Sequence, residues 1–197
     1  DLQQFAYSPI PKGRIKIIIV ARMLWDKGVG EFVESATVLT QQGIDADFLL
    51  VGSVDSGNPE SISAKQLEEW NRSGVVKWLG ERADIAQLLA ESHIAVLPSY
   101  REGLPKSLIE SAAIGRPIIT TNVPGCREVV KEGGNGFLVP ARDSEKLAAT
   151  IKRLIDNPKL LTTMGKKSRL MAEQEFSIQK VTSKTLALYS KIGSDPY

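Results

Sequence analysis

A single cysteine, Cys126, leaves the chain no internal disulfide; this fits a reducing compartment and predicts a cytoplasmic location, including the inner face of a membrane. With one histidine, His93, and scattered carboxylates, no zinc or magnesium cage is suggested and no metal is expected. The longest apolar run, residues 15–21 broken by Lys16, is far below the roughly 20 residues that span a bilayer. Two phosphate-binding fingerprints are also missing. Gly52 to Gly57 is a G-x4-G without the Lys-Ser/Thr of a P-loop, and no G-x-G-x-x-G follows the first apolar run, so nucleotide hydrolysis and dinucleotide binding both lack their loops. With 25 Lys and Arg against 23 Asp and Glu, the charge is too balanced for a nucleic-acid partner. The basic excess in the last third reads as a solvated helix face.

What the chain does contain is a regular alternation. Short β-branched runs at 15–21, 48–52, 75–79, 94–98, 117–121 and 136–139 are separated by amphipathic segments at 30–42, 63–72, 85–91, 105–114 and 127–131. Three more helical segments follow, at 144–155, 158–174 and 178–191. This predicts an α/β fold, a Rossmann-like, doubly wound parallel sheet of about six strands ending in helices. The common strand order is 3-2-1-4-5-6, which places ligands beyond the carboxyl ends of the first and fourth strands. At 197 residues one main domain is expected, its core at roughly 14–175 and a last helix at about 177–192. The sequence opens on Asp1 rather than Met, which reads as a piece of something longer.

The loop after the fourth strand runs Glu102-Gly103-Leu104-Pro105-Lys106-Ser107-Leu108-Ile109-Glu110. Proline suits the first helical position, so Glu102 is expected on a loop and Glu110 inside the next helix. The amides of Gly103, Leu104, Lys106 and Ser107 would then face the positive helix end, a site for an anion or a row of hydroxyls. Arg22 and Lys27 follow the first strand. Opposite a helix N-terminus such a pair makes a diphosphate clamp, and the alternative is two solvated loop cations. Glu110, on a largely covered helix, would accept from two ribose hydroxyls or pair with a neighbouring cation. Glu102 would accept from sugar hydroxyls, pair with Arg101 or cap the backbone.

Glu102 to Glu110 matches the E-x7-E signature of retaining glycosyltransferases. Together with Arg22, Lys27-Gly28, Gly52, Trp78-Leu79-Gly80, Leu97-Pro98-Ser99 and Asn135-Gly136-Phe137, it makes the chain resemble glycosyltransferase family 4. The resemblance runs from about Ile15 to Tyr189 and implies the C-terminal, donor-binding half of a GT-B fold, with the N-terminal acceptor domain absent. It further implies that Arg22 and Lys27 neutralise the diphosphate of a nucleotide sugar and that Glu110 holds the ribose. Glu102 and the segment Gly103, Leu104, Pro105, Lys106 and Ser107 would meet the donor sugar and its phosphate. Gly52, Leu79 and Arg82 would border the nucleotide. The implied partners are a nucleoside diphosphate sugar, UDP-linked ahead of GDP- or ADP-linked, and a glycan or lipid-linked acceptor in surface polysaccharide or glycolipid synthesis. No cofactor and no protein nucleophile are implied, and a peripheral membrane association would reside in the missing half. The last helix would cross onto that half, exposing Leu186 and Leu188. Two other readings are a nucleotide-sugar binding module inactive by itself and a GT-B sugar-nucleotide epimerase.

Three positions depart from the family pattern: Ala21 in place of Gly, Ser53-Val54-Asp55 without a second Gly, and His93 in place of Asp. His93 is read as structural. Trp25, next to the cation loop, is placed at the rim of the cleft or in packing, and Glu128 is read first as a cap.

Overall fold

The computed structural model describes residues 1–193; the side chains of residues 184, 187, 188 and 190–193 lie outside the described set. Leu188 therefore falls outside it, whereas Leu186 is exposed. Six parallel strands, β1 (Ile15–Val20), β2 (Ala46–Val51), β3 (Lys77–Trp78), β4 (Ile94–Leu97), β5 (Ile118–Thr121) and β6 (Gly136–Val139), form one sheet. Their order is β3-β2-β1-β4-β5-β6, as the alternation predicts. Central β1 is apolar on both faces because both are covered: Ile17, Ile18 and Ile19 are all buried. Ile17 stands in register with Phe48 on one side and Ile94 on the other.

The helices are α1 (Val29–Gln41), α2 (Ala64–Ser73), α3 (Ile85–Ala90), α4 (Lys106–Ile114), α5 (Pro124–Val129), α6 (Ser144–Ile155), α7 (Pro158–Met171) and α8 (Ile178–Gly193). α1 packs beside α6, and α4 beside α3 and α7. Side-chain caps explain the starts read from sequence. Ser63 accepts from the Gln66 amide, Asp143 from Lys146 and Asn157 from Leu160, with Pro158 on the first turn of α7.

Several boundaries differ from expectation. β3 is two residues rather than five, because this edge strand pairs only with β2, through Lys77 and Trp78. α5 begins at Pro124 rather than Arg127, since Pro124 itself occupies the first helical turn. α7 passes into a π-helical turn at Ala172–Phe176. Pro105 precedes α4 instead of opening it: its φ of −72° and ψ of 107° are those of an extended N-cap residue, and its carbonyl accepts from Leu108 and Ile109.

Two buried polar residues hold the amino end of the sheet, away from the loops that follow β1 and β4. The imidazole Nδ1 of His93 accepts from the Lys16 amide at 3.1 Å, and the His93 amide donates to the Lys16 carbonyl at 2.8 Å. This is the structural role the sequence suggested. Arg116, fully buried, was not anticipated. Its guanidinium donates to the carbonyls of Ser8, Pro9 and Ser92, joining the N-terminal arm to the turn before β4. Burial pushes its pKa down to about 10, which leaves it charged at neutral pH.

Candidate functional site

The carboxyl ends of β1 and β4 lie side by side where the winding reverses, and their loops are tied together. After Val20 the chain makes a 3-10 turn, Trp25–Lys27, closed by Gly28, whose φ of 71° is a left-handed conformation. A Cβ on Gly28 would lie 2.2 Å from the Pro98 carbonyl oxygen, so only glycine lets the first loop press against the second. The Tyr100 amide donates to the Asp26 carbonyl at 2.8 Å, while the Tyr100 hydroxyl donates to Glu31 and its ring lies under Arg142. Burial, then the Glu31 carboxylate, push the Tyr100 pKa up. On the other flank, a Cβ on Gly125 would fall 2.2 Å from the Gly103 carbonyl oxygen, so the first turn of α5 packs directly under the Glu102 loop.

These constraints bring Lys27 and Glu102 together. Lys27 Nζ is 2.7 Å from Glu102 Oε1, with side chains 17% and 13% exposed. Ser99 Oγ donates to the same oxygen at 2.7 Å. The pairing with Arg101 weighed from sequence does not form; Arg101 instead stands 3.7 Å from Asp26. Arg22, more than half exposed, donates to Asp55 at 2.6 Å. Arg22, Asp26, Lys27, Asn58, Glu102 and Gly103 border one cavity of about 370 Å³. Among the described residues, none accepts from the amides of Gly103, Leu104, Lys106 or Ser107, which leaves the start of α4 available to an anion.

The remaining predicted residues lie outside this cavity's lining. Glu110 is mostly covered and pairs with exposed Lys106 at 3.5 Å, one turn apart on α4. Gly52 ends β2 with φ 149°, and a Cβ there would lie 1.7 Å from the Ala21 carbonyl oxygen, so the backbone that approaches Gly52 is the protein's own. Leu79 continues the edge ladder by donating to Leu50. Arg82 makes two bonds to Asp84, which raises its already high pKa. Trp25 is 40% exposed and meets Trp70 edge to face. Glu128 lines a separate cavity of about 570 Å³ with Lys131, Lys167, Leu170 and Phe176, which shares no lining residue with the first. Ser99, Asp55 and Asn58 were missed by sequence reasoning: Ser99 stood within a family motif and Asp55 within the segment that departs from one, but neither was assigned a role.

Residues 2–171 match the family model described as glycosyl transferases group 1. The chain belongs to that family. This group 1 chain is 36% identical over 176 residues to the N,N'-diacetylbacillosaminyl-diphospho-undecaprenol alpha-1,3-N-acetylgalactosaminyltransferase of Campylobacter jejuni, covering 89% of the chain and 44% of that protein. It is 29% identical to the capsular polysaccharide biosynthesis glycosyltransferase CapM of Staphylococcus aureus, covering 93% of the chain and 48% of CapM. The chain thus spans about half the length of the curated relatives it matches. Among solved structures, Anabaena Alr3699/HepE in complex with UDP-glucose superposes with TM-score 0.84 at 25% identity, over 97% of this chain and 55% of that one. The C-terminal domain of the group 1 protein LpcC from Francisella tularensis superposes with TM-score 0.78 at 22% identity, over 90% of this chain and 98% of that one. The group 1 chain has the fold of the C-terminal half of a GT-B glycosyltransferase. No helix among its described residues is long and apolar enough to cross a membrane.

Proposed function

We propose that this chain is the donor-binding domain of a retaining, family 4 glycosyltransferase that moves a sugar from a nucleoside diphosphate sugar to a hydroxyl acceptor. The observation that carries this reading is the meeting of Arg22, Lys27, Glu102 and Gly103 around one cavity beside the unbonded first amides of α4. Breaking the bond between the anomeric carbon and the diphosphate leaves negative charge on the phosphate. Two cations and a helix terminus held in place beforehand stabilise that charge in the transition state. Lys27 has three N–H donors and Glu102 occupies one, so the ammonium bridges carboxylate and diphosphate without leaving its place. Glu102 then turns its second oxygen, and Gly103 its amide, to the donor sugar. Glu110 accepts from the ribose hydroxyls. Attack comes from the face the diphosphate leaves, assisted by that phosphate, and no side chain forms a glycosyl adduct.

The crystal complex of Anabaena Alr3699/HepE holds UDP-glucose, and the Campylobacter relative is named for an undecaprenyl-diphosphate-linked sugar. On those likenesses a UDP-sugar is the first donor to test and a lipid-linked glycan the first acceptor. The acceptor site belongs to an N-terminal half outside this chain, which accordingly binds donor without transferring it; cytoplasmic placement at a membrane face follows from such an acceptor. Calorimetry with UDP, GDP and ADP should show binding of one of them, and mass spectrometry should show no transfer by the chain alone. Turnover by these 197 residues, or binding of none of the three nucleotides, would overturn the reading.

A further inference from the structure

Arg22 borders the cavity and Asp55 does not. The Asp55 carboxylate takes only Nη1 of Arg22, at 2.6 Å, and among the described residues nothing else is bonded to the guanidinium. Of the five N–H donors on that fork, those on Nε and Nη2 remain for the cavity side. The main chain of Asp55 is held in place: its amide donates to Ser61 Oγ at 3.1 Å and its carbonyl accepts from the Asn58 amide at 2.9 Å. The segment that carries it is sewn to the segment that carries Arg22. Met23 donates to Ser53 at 3.0 Å, Ile62 to Met23 at 2.9 Å and Trp25 to Glu60 at 2.8 Å, and Leu24 bridges Ser61 in antiparallel sense. The backbone that carries Asp55 is therefore fixed in the frame from which Arg22 projects, and one short side chain separates it from the carboxylate. An arginine left 57% exposed would otherwise spread over many rotamers, and a ligand that gathers it in would bear that entropic cost.

We propose that Asp55 is a positioning residue for the donor: it holds Arg22 from behind and aims the free edge of the guanidinium at the diphosphate, without touching the ligand. This rests on the reading of the cavity as a nucleoside diphosphate site. Asn58 joins the same wall, since its Oδ1 accepts from the Glu60 amide at 3.0 Å and, among the described residues, nothing accepts from its Nδ2 at the cavity it borders.

The test is calorimetry on the 197-residue chain with UDP, GDP and ADP, following the nucleotide that binds most tightly, with circular dichroism on every variant. Arg22→Ala should weaken binding by about tenfold and Asp55→Ala by about fivefold, the loss of an oriented charge-assisted contact. Asp55→Asn keeps an oxygen for the guanidinium and should stay within about twofold of the parent, and Arg22→Ala/Asp55→Ala should bind no more weakly than Arg22→Ala alone. A purely structural Asp55 would instead weaken the double variant further, by the factor it costs the parent. That result, or Asp55→Ala binding as tightly as the parent or tighter, overturns the proposal. Should Asp55→Ala not fold, Asp55→Glu, which displaces the carboxylate by one methylene, carries the same comparison with Asp55→Asn. If Arg22→Ala binds like the parent, or nothing binds the parent, the donor-site reading itself fails; loss in Arg22→Ala without loss in Asp55→Ala sinks only the positioning role.

Discussion

Lys27 and Glu102 are 75 positions apart in the chain and 2.7 Å apart in the fold, each more than four-fifths covered. Their meeting places a cation and a carboxylate in contact within the cavity that is proposed to hold a diphosphate sugar. Each is the other's charged partner, and Ser99 adds a hydroxyl to the same carboxylate oxygen.

Reversing the charge at Lys27 sets two carboxylates against one another in a partly covered site. Lys27→Glu should abolish nucleotide binding by calorimetry and lower stability by about 2–4 kcal/mol in urea unfolding. Lys27→Met should cost about 1–3 kcal/mol of stability, because Ser99 still satisfies Glu102, and should weaken nucleotide binding by tenfold or more. Unchanged nucleotide affinity in Lys27→Met would count against its role in gripping the diphosphate.

Glycines at the carboxyl edge separate into two kinds. Gly52→Ala forces a Cβ to within 1.7 Å of the Ala21 carbonyl oxygen at φ 149°, and should cost about 3 kcal/mol or more, or prevent folding. A Cβ on Gly103 meets nothing within 4 Å, so Gly103→Ala should keep stability within about 0.5 kcal/mol. Chemical denaturation of both variants, side by side, checks the contrast.

Arg116 is buried without a carboxylate, its charge spread over backbone carbonyls of the N-terminal arm and the turn before β4. Arg116→Met removes the donors, leaves the buried Ser92 carbonyl without the guanidinium and frees the Ser8 and Pro9 carbonyls of the arm, at an expected cost of about 2–4 kcal/mol. Limited proteolysis should then cut first in the arm around Ser8 and Pro9, which Arg116 holds. A melting temperature equal to the parent's would show the network to be dispensable.

His93 is kept neutral: burial, then Arg116 and Lys16, lower its pKa below the ordinary 6.5. The unfolded chain therefore binds more protons than the folded one between the lowered value and 6.5, and stability rises with pH across that window. Its contribution is complete above about pH 6.5 and lost as pH falls toward the folded value. His93→Asn keeps an acceptor for the Lys16 amide without a titrating group, so the parent should lose more stability than the variant between pH 7.5 and pH 5, measured by urea unfolding. Equal losses would show that His93 does not titrate on unfolding.

Much of the fold was legible because it depends on local and periodic signals. The apolar runs that became β1, β4 and β5 are short, β-branched and bounded by turn residues, and their burial on both faces follows from the helices between them. The starts of α6 and α7 followed from the helical pattern at 144 and 158, and the structure shows Asp143 and Asn157 capping them there. β3 was overread, because the Val75-Val76 pair suggests a longer strand, while position at the sheet edge decides how many residues pair. Pro105 was misplaced by one residue, since proline's fixed φ serves an extended N-cap as well as a first helical turn.

By itself the sequence determined the alternating α/β pattern, the glycines and prolines that bend the loops, and the E-x7-E segment at the head of α4, all of which are encoded in spacing along the chain. Only the tertiary structure decided which charges meet. Lys27 pairs with Glu102 and not with a solvated neighbour, Arg22 leans on Asp55, and Arg116 clasps carbonyls. Those partners come from segments far apart in the chain, and they are brought together by parallel crossovers whose loops converge where the winding of the sheet reverses. A side chain's charge is written in its residue type, but the energy of that charge depends on what surrounds it, and the surroundings exist only once the chain has folded.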